Sequence, residues 1–129
     1  MALSPRSERN LVGVHADLQR VVRLAAAASP VPFIVTEGLR TKARQAELVK
    51  QGASWTLNSR HLTGHAVDLA AAPGGVVSWA WPLYYQIADA MNAAAAEAGV
   101  PIGWGGTWKG RKKDGPHFQL PWKQYPKGA

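Results

Sequence analysis

The chain predicts a small α+β domain in which helices pack on an antiparallel sheet, and three features carry the prediction. Two long stretches repeat apolar residues at three- and four-residue intervals, short apolar or alternating runs lie between and after them, and Gly or Pro stands at most junctions. At 129 residues the chain has the length of a single domain, enough to bury about two-thirds of its unfolded surface. With 47% hydrophobic and 18% charged residues the composition is that of a globular protein. Residues 1–129 are therefore read as one domain, with 124–129 as a frayed tail.

The first helix is expected over residues 6–28, where Leu11, Val14, Leu18, Val21, Val22 and Ala25 recur on one face between Ser4-Pro5 and Ser29-Pro30. His15 falls inside it, with a packing or hydrogen-bonding role. Residues 31–36, centred on Phe33, Ile34 and Val35, read as a buried strand that delivers Glu37 and Arg40 to a loop. Thr41 is the expected N-cap of a short helix over 43–51 stopped by Gly52, with Ala46, Leu48 and Val49 available to the core. Residues 53–63 are polar and irregular, anchored by Trp55 and Leu57. Alternation over 65–69 predicts a strand with His65, Val67 and Leu69 on one face and Ala66 and Asp68 on the other. A second long helix is expected over 83–98, with Tyr84, Ile87, Ala88, Met91, Ala94 and Ala95 as its packing stripe and Gly99 as its stop. A strand or extended segment starts over 101–104, and a last strand over 117–120 sets His117 and Gln119 against Phe118 and Leu120.

The chemistry-bearing residues are concentrated. Ser59, His61, Gly64, His65 and Asp68 are answered near the C-terminus by Asp114 and His117, so that two short segments hold three of the four histidines and two of the eight acidic residues of a chain without cysteine. When thiolates are absent a catalytic zinc takes three ligands from His nitrogen and carboxylate oxygen and keeps a fourth position for water. His61, Asp68 and His117 supply one such set, one ion per chain, and Asp114 remains as a carboxylate able to act as general base and then general acid. His65 points away from Asp68 and is read as a residue that supports the metal ligands or walls the cleft against substrate, a metal ligand being the lesser alternative. Arg40 suits a substrate carboxylate or a developing oxyanion, or alternatively a salt bridge with Glu37. Ser59 is expected to bond substrate or its own loop, and Trp104 and Trp108 to flank Gly105 and Gly106 where a ligand can approach the backbone. Trp55, Trp79, Trp81 and Trp122 are divided between core and cleft.

The motif formed by Ser59, His61, Gly64, Ala66 and Asp68, followed by Asp114 and His117, resembles that of the LAS-type zinc peptidases, Ser-x-His-x-x-Gly-x-Ala-x-Asp and a later Asp-x-x-His. That family includes D-alanyl-D-alanine carboxypeptidases and the L-alanyl-D-glutamate endopeptidases of phage endolysins. Glu37 to Thr41, Arg44 with Gln45, Trp104 to Gly106 with Trp108, and Gly13 to His15 followed by Asp17 and Leu18 are similar to the endopeptidase branch, so the resemblance covers nearly the whole chain. Thr107 departs from it, standing where the family pattern has Asp. The resemblance implies zinc-dependent hydrolysis of the L-alanyl-D-glutamate bond in the stem peptide of peptidoglycan, as in a phage endolysin that lyses its host. D-alanyl-D-alanine carboxypeptidase is the alternative within the family. A noncatalytic, metal-containing wall-binding module is the alternative of another class, and the presence of Asp114 argues against it.

Other bounds follow from composition. Zero cysteines exclude disulfides and thiolate metal sites. No stretch has the apolar core of a signal peptide or the ~18 apolar residues of a membrane span, so synthesis in the host cytoplasm is expected, with access to the wall after a holin permeabilises the membrane and without direct contact to it. The formal net charge of +7 favours polyanions, and Lys109, Arg111, Lys112 and Lys113 form a basic loop. No recognition helix or RNA-binding aromatic motif accompanies that charge, so nucleic acid is not an expected partner. A monomer is expected.

Overall fold

The computed structural model describes residues 2–54, 56–110 and 113–128. It is a small α+β domain with, among the described residues, four α-helices, α1 (Pro5–Asn10), α2 (Ala16–Ala28), α3 (Lys42–Lys50) and α4 (Trp81–Ala98), and four strands, β1 (Phe33–Glu37), β2 (Ala66–Ala71), β3 (Gly103–Trp104) and β4 (His117–Gln119). The sheet runs β1-β2-β4-β3 and every pairing is antiparallel. Trp55, an expected anchor, and Arg111 and Lys112 of the basic loop lie outside the described residues.

Period-two alternation sorts the sheet's side chains. Val67 and Leu69 of β2 and Phe118 of β4 lie fully buried in the core with Leu18, Val21 and Val22 of α2 and Ile87 and Met91 of α4. Each such side chain contributes about 1.5–3 kcal/mol by leaving water. The alternate residues Asp68 and His117 face the other way, and the apolar layer thus forms a rigid floor for that second face. Along the outer edge of β1, α1 satisfies the backbone: the Val35 N–H donates to Ser7 Oγ (2.9 Å) and Asn10 Nδ2 donates to Val35 O (2.8 Å).

The expected helix over 6–28 is two helices. Gly13, at φ 86°, turns the chain between them, and His15 lies outside α2 as its N-cap, its Nδ1 accepting from the Asp17 N–H at 3.0 Å. Leu11 and Val14 are buried across the break, so the apolar spacing continues where the helix does not. α3 differs in what it buries. Gln45 is its buried residue, Ala46 is exposed, and Leu48 and Val49 are only half-buried, because α3 covers the polar side of the cleft and its inward side chain is there to hydrogen-bond. α4 begins two residues earlier than expected, accommodating Pro82 in its first turn. Its six expected packing residues are its buried ones, and Gly99 ends it at φ 70°.

The expected frayed tail is tied down as far as Tyr125. Its carbonyl accepts from Arg60 Nη2 (2.6 Å) and its hydroxyl donates to Asp17 Oδ2 (2.7 Å). The Arg60 guanidinium also lies 4.2 Å from the centre of the Trp122 ring.

Candidate active site

The sheet register assembles the site. Asp68, on the polar face of β2, is the cross-strand partner of Glu37 on one side and of His117 on the other. His61 arrives from a single 3-10 turn (Arg60–Thr63). Ser59 caps that turn by accepting from the His61 N–H at 3.2 Å, and Gly64 closes it at φ 75°. A side chain on Gly64 would collide with the Gly13 carbonyl oxygen, so this turn and the turn before α2 can pack only with glycine there.

His61 Nε2 lies 3.3 Å from Asp68 Oδ2, and His117 Nδ1 lies 3.4 Å from Asp68 Oδ1. One ligand atom from each of the three residues falls within 4.8 Å of the others. The far nitrogens of both rings are already committed: His61 Nδ1–H donates to Gly38 O (2.8 Å) and His117 Nε2–H donates to Gln119 Oε1 (2.7 Å). These bonds fix each tautomer and leave a lone pair on the nitrogen that faces Asp68. Among the described residues, His61 Nε2 and Asp68 Oδ1 are buried without a hydrogen-bond partner, an arrangement that costs about 1–3 kcal/mol per atom. A cation bound by the three residues removes that cost, and nitrogen and carboxylate donors without thiolate suit a borderline divalent metal.

Electrostatics agree with this geometry. Burial pushes the Asp68 carboxyl up, but hydrogen bonds and positive charge from His117 and His61, once these rings are protonated, overcome it and hold Asp68 well below the usual carboxylate range. Asp114 moves the opposite way. Burial, and then the charge of Asp68, raise its pKa against the opposing pull of His117, His61 and Arg40. The two carboxylates are thus shifted in opposite directions, which suits one that could bind a cation and one that could carry a proton.

His61, Asp68, His117, Asp114, Arg40, Ser59 and Trp108 line one cleft of about 860 Å³. Trp108 stands beside the metal-binding group, its ring centroid 4.9 Å from that of His117. Arg40 is buried and engaged: Nε and Nη2 fork onto both oxygens of Glu37 (2.8 and 2.6 Å), Nη1 donates to Gln45 Oε1 (2.7 Å), and Nη2 is also 3.5 Å from Asp68 Oδ2. Of its two expected uses, the salt bridge with Glu37 is the one formed.

Two expected cleft residues are not brought there. His65 is buried on the far side, near the rings of His15 and Tyr125, because β2 alternation turns it from the Asp68 face. Trp104 stacks on Phe118 at 6.3 Å and donates from Nε1 to Gly115 O (2.6 Å), supporting from behind the turn that carries Asp114. The paired glycines also serve the chain's own packing rather than a ligand. Gly105 lies against Asp114 and His117, and Gly106 lies against the Trp104 indole. Thr107 donates from its hydroxyl to Trp104 O (2.9 Å) and does not line the cleft. Lys109, Lys113 and Trp122 do line it. Of the supporting partners, Gly38 lies within the segment Glu37 to Thr41 already singled out, but its carbonyl carries no side-chain signal, and Gln119 belongs to no motif. The alternation over 117–120 already set Gln119 on the His117 face, and that was the available signal.

The model of the phage L-alanyl-D-glutamate peptidase family matches residues 1–120. The chain is 32% identical over 106 residues to the L-alanyl-D-glutamate peptidase of Escherichia phage T5, covering 79% of this chain and 77% of that one. It is 36% identical over 95 residues to the L-alanyl-D-glutamate peptidase of Listeria phage A118, covering 74% of this chain and 32% of that longer protein. Among solved structures, the Serratia marcescens L-Ala D-Glu endopeptidase ChiX superposes with a TM-score of 0.91 at 60% identity, over 98% of this chain and 94% of that one.

Proposed function

Because the chain belongs to the phage L-alanyl-D-glutamate peptidase family, we propose that it is a zinc-dependent endopeptidase that hydrolyses the L-alanyl-D-glutamate bond of the peptidoglycan stem peptide. The observation that carries the metal is the pair of buried, unpartnered atoms, His61 Nε2 and Asp68 Oδ1, facing His117 Nδ1. His61, Asp68 and His117 hold the ion. When bound there, zinc lowers the pKa of water and polarises the scissile carbonyl.

The remaining work falls to the chain. Asp114, its proton affinity raised by burial and by Asp68, takes the proton of the attacking water and returns it to the leaving amine of D-glutamate. Arg40 orients Asp68 and balances its charge against Glu37. Trp108 and Ser59 wall the path of the stem peptide. The protein acts as a monomer on the wall, after a holin or another agent has opened the membrane. Among the described residues no helix is long and apolar enough to cross a membrane. The test is elemental analysis of purified protein together with hydrolysis of an L-Ala-D-Glu stem peptide. About one zinc per chain with scission at that bond is expected. Full activity in metal-free protein would overturn the reading.

A further inference from the structure

Among the described residues, the arginines and lysines that line the cleft are Arg40, Arg60, Lys109 and Lys113. Two of these cations are already engaged. Arg40 is held by Glu37, Gln45 and Asp68. Arg60 donates to the carbonyls of Leu120 and Tyr125 and lies against the Trp122 ring. Among the described residues, Lys109 and Lys113 form no ion pair. The Lys113 ammonium nevertheless has a rest, because its Nζ lies 5.1 Å from the centre of the Trp81 ring. That ring is itself fixed, packing against Gly115 and leaning on Trp104. Lys113 thus carries an unneutralised charge into the cleft from the position next to Asp114.

We infer that Lys113 binds the free carboxylate of the D-glutamate residue and makes the enzyme selective for an acidic residue on the leaving side of the cut. This rests on the proposed reaction, in which Asp114 returns the proton to the amine of D-glutamate. Glutamate has two carboxyl groups, and the onward peptide bond consumes one of them. The other remains as a carboxylate on the same residue whose nitrogen leaves. An α-carboxyl carbon is two bonds from that nitrogen, about 2.5 Å, and a γ-carboxyl is only a short side chain farther. The anion therefore comes close to the atom that Asp114 serves, where the carboxylates of Asp114 and Asp68 would repel it unless a cation intervenes. Arg40 and Arg60 can reach it only by giving up the partners that hold them. A lysine on a flexible stem, with three donors and no competing partner, can follow the carboxylate as the amine departs.

The test compares wild type, Lys113→Gln, Lys113→Arg and Lys109→Gln on three stem peptides. The first keeps the free D-glutamate carboxylate, the second carries an amide there, and the third has the same net charge as the second but is amidated at its C-terminus. Wild type is expected to favour the first over the second roughly five- to twentyfold in kcat/KM, mainly through KM, the scale of one charge-assisted hydrogen bond at a solvent-open site. It should treat the third like the first. Lys113→Gln is expected to cut the preference below about twofold, and Lys113→Arg to keep most of it. Calorimetric titration with the product peptide that begins at D-glutamate, free or amidated, reads the same preference without catalysis. The inference is overturned if wild type shows no preference, or if it disfavours the second and third peptides alike, which is attraction by net charge alone. It is equally overturned if Lys113→Gln slows all three equally, or if Lys109→Gln abolishes the preference and Lys113→Gln does not. Cleavage without preference would leave the peptidase reading intact and remove the carboxylate site. A preference that depends on Lys113 in the titration, without cleavage of any peptide, would do the reverse.

Discussion

At the scale of single residues, the proposed mechanism separates the three groups that could hold a cation from the carboxylate that would move a proton. Asp114→Asn is nearly isosteric but cannot accept a proton, so it is expected to keep fold and metal while losing about 10²–10⁴-fold in kcat. His117→Ala is expected to lose the metal itself, as elemental analysis will read. Gln119 makes a finer test, because its side chain accepts from His117 Nε2. Gln119→Ala frees the imidazole to rotate and change tautomer, and metal affinity measured by chelator competition is expected to fall about 10–100-fold. Unchanged affinity would mean that the strand alone aims His117. Arg40 shows how residue type can be legible and its use not: the guanidinium was read as free for substrate or paired with Glu37, and only the fold shows all three of its nitrogens engaged.

At the scale of elements, the two turns at Gly13 and Gly64 lock together and set the position of His61. Gly64→Ala places a methyl against the Gly13 carbonyl, in addition to a left-handed backbone cost of about 1–2 kcal/mol. Gly52 has a similar φ of 75° and nothing within 4 Å of an added Cβ, so Gly52→Ala carries the backbone cost alone. Urea unfolding is expected to show Gly64→Ala as clearly the less stable, and zinc binding should suffer with it. Equal stabilities would remove the turn contact from the account. These elements also explain what the sequence disclosed. The α4 stripe and the β2 and β4 faces were legible because local periodicity decides them, whereas His61, Asp68, Asp114 and His117 could be grouped because their residue types are concentrated in two short segments. The break after α1 was hidden because Leu11 and Val14 keep helical spacing across a turn whose cause, contact with Gly64, is remote in sequence. The placement of His65, Trp104 and Gly105 outside the cleft lining shares that origin: each is a residue near the motif whose partner, such as Tyr125, Gly115 or Asp114, comes from another part of the chain.

At the scale of the whole molecule, a compact apolar layer between the helices and the sheet supports a polar cleft, and the chain carries a formal net charge of +7. That charge is expected to draw the enzyme to anionic wall polymer. Such attraction is screened beyond about 8 Å at physiological salt, so rising salt should lower lysis of whole wall several-fold while hydrolysis of a short soluble stem peptide changes little. Lys109 and Lys113 line the cleft, so their neutralisation is expected to affect the peptide reaction as well, which makes salt the cleaner probe of steering. The central claim, a metal-dependent cut between L-alanine and D-glutamate, is tested most directly by digesting purified peptidoglycan with and without a chelator and identifying the new termini by mass spectrometry. Peptides beginning at D-glutamate, with L-alanine left on the glycan, are expected to appear, to vanish with chelator and to return when zinc is restored. Release of terminal D-alanine instead, or the same digestion in the presence of chelator, would contradict it.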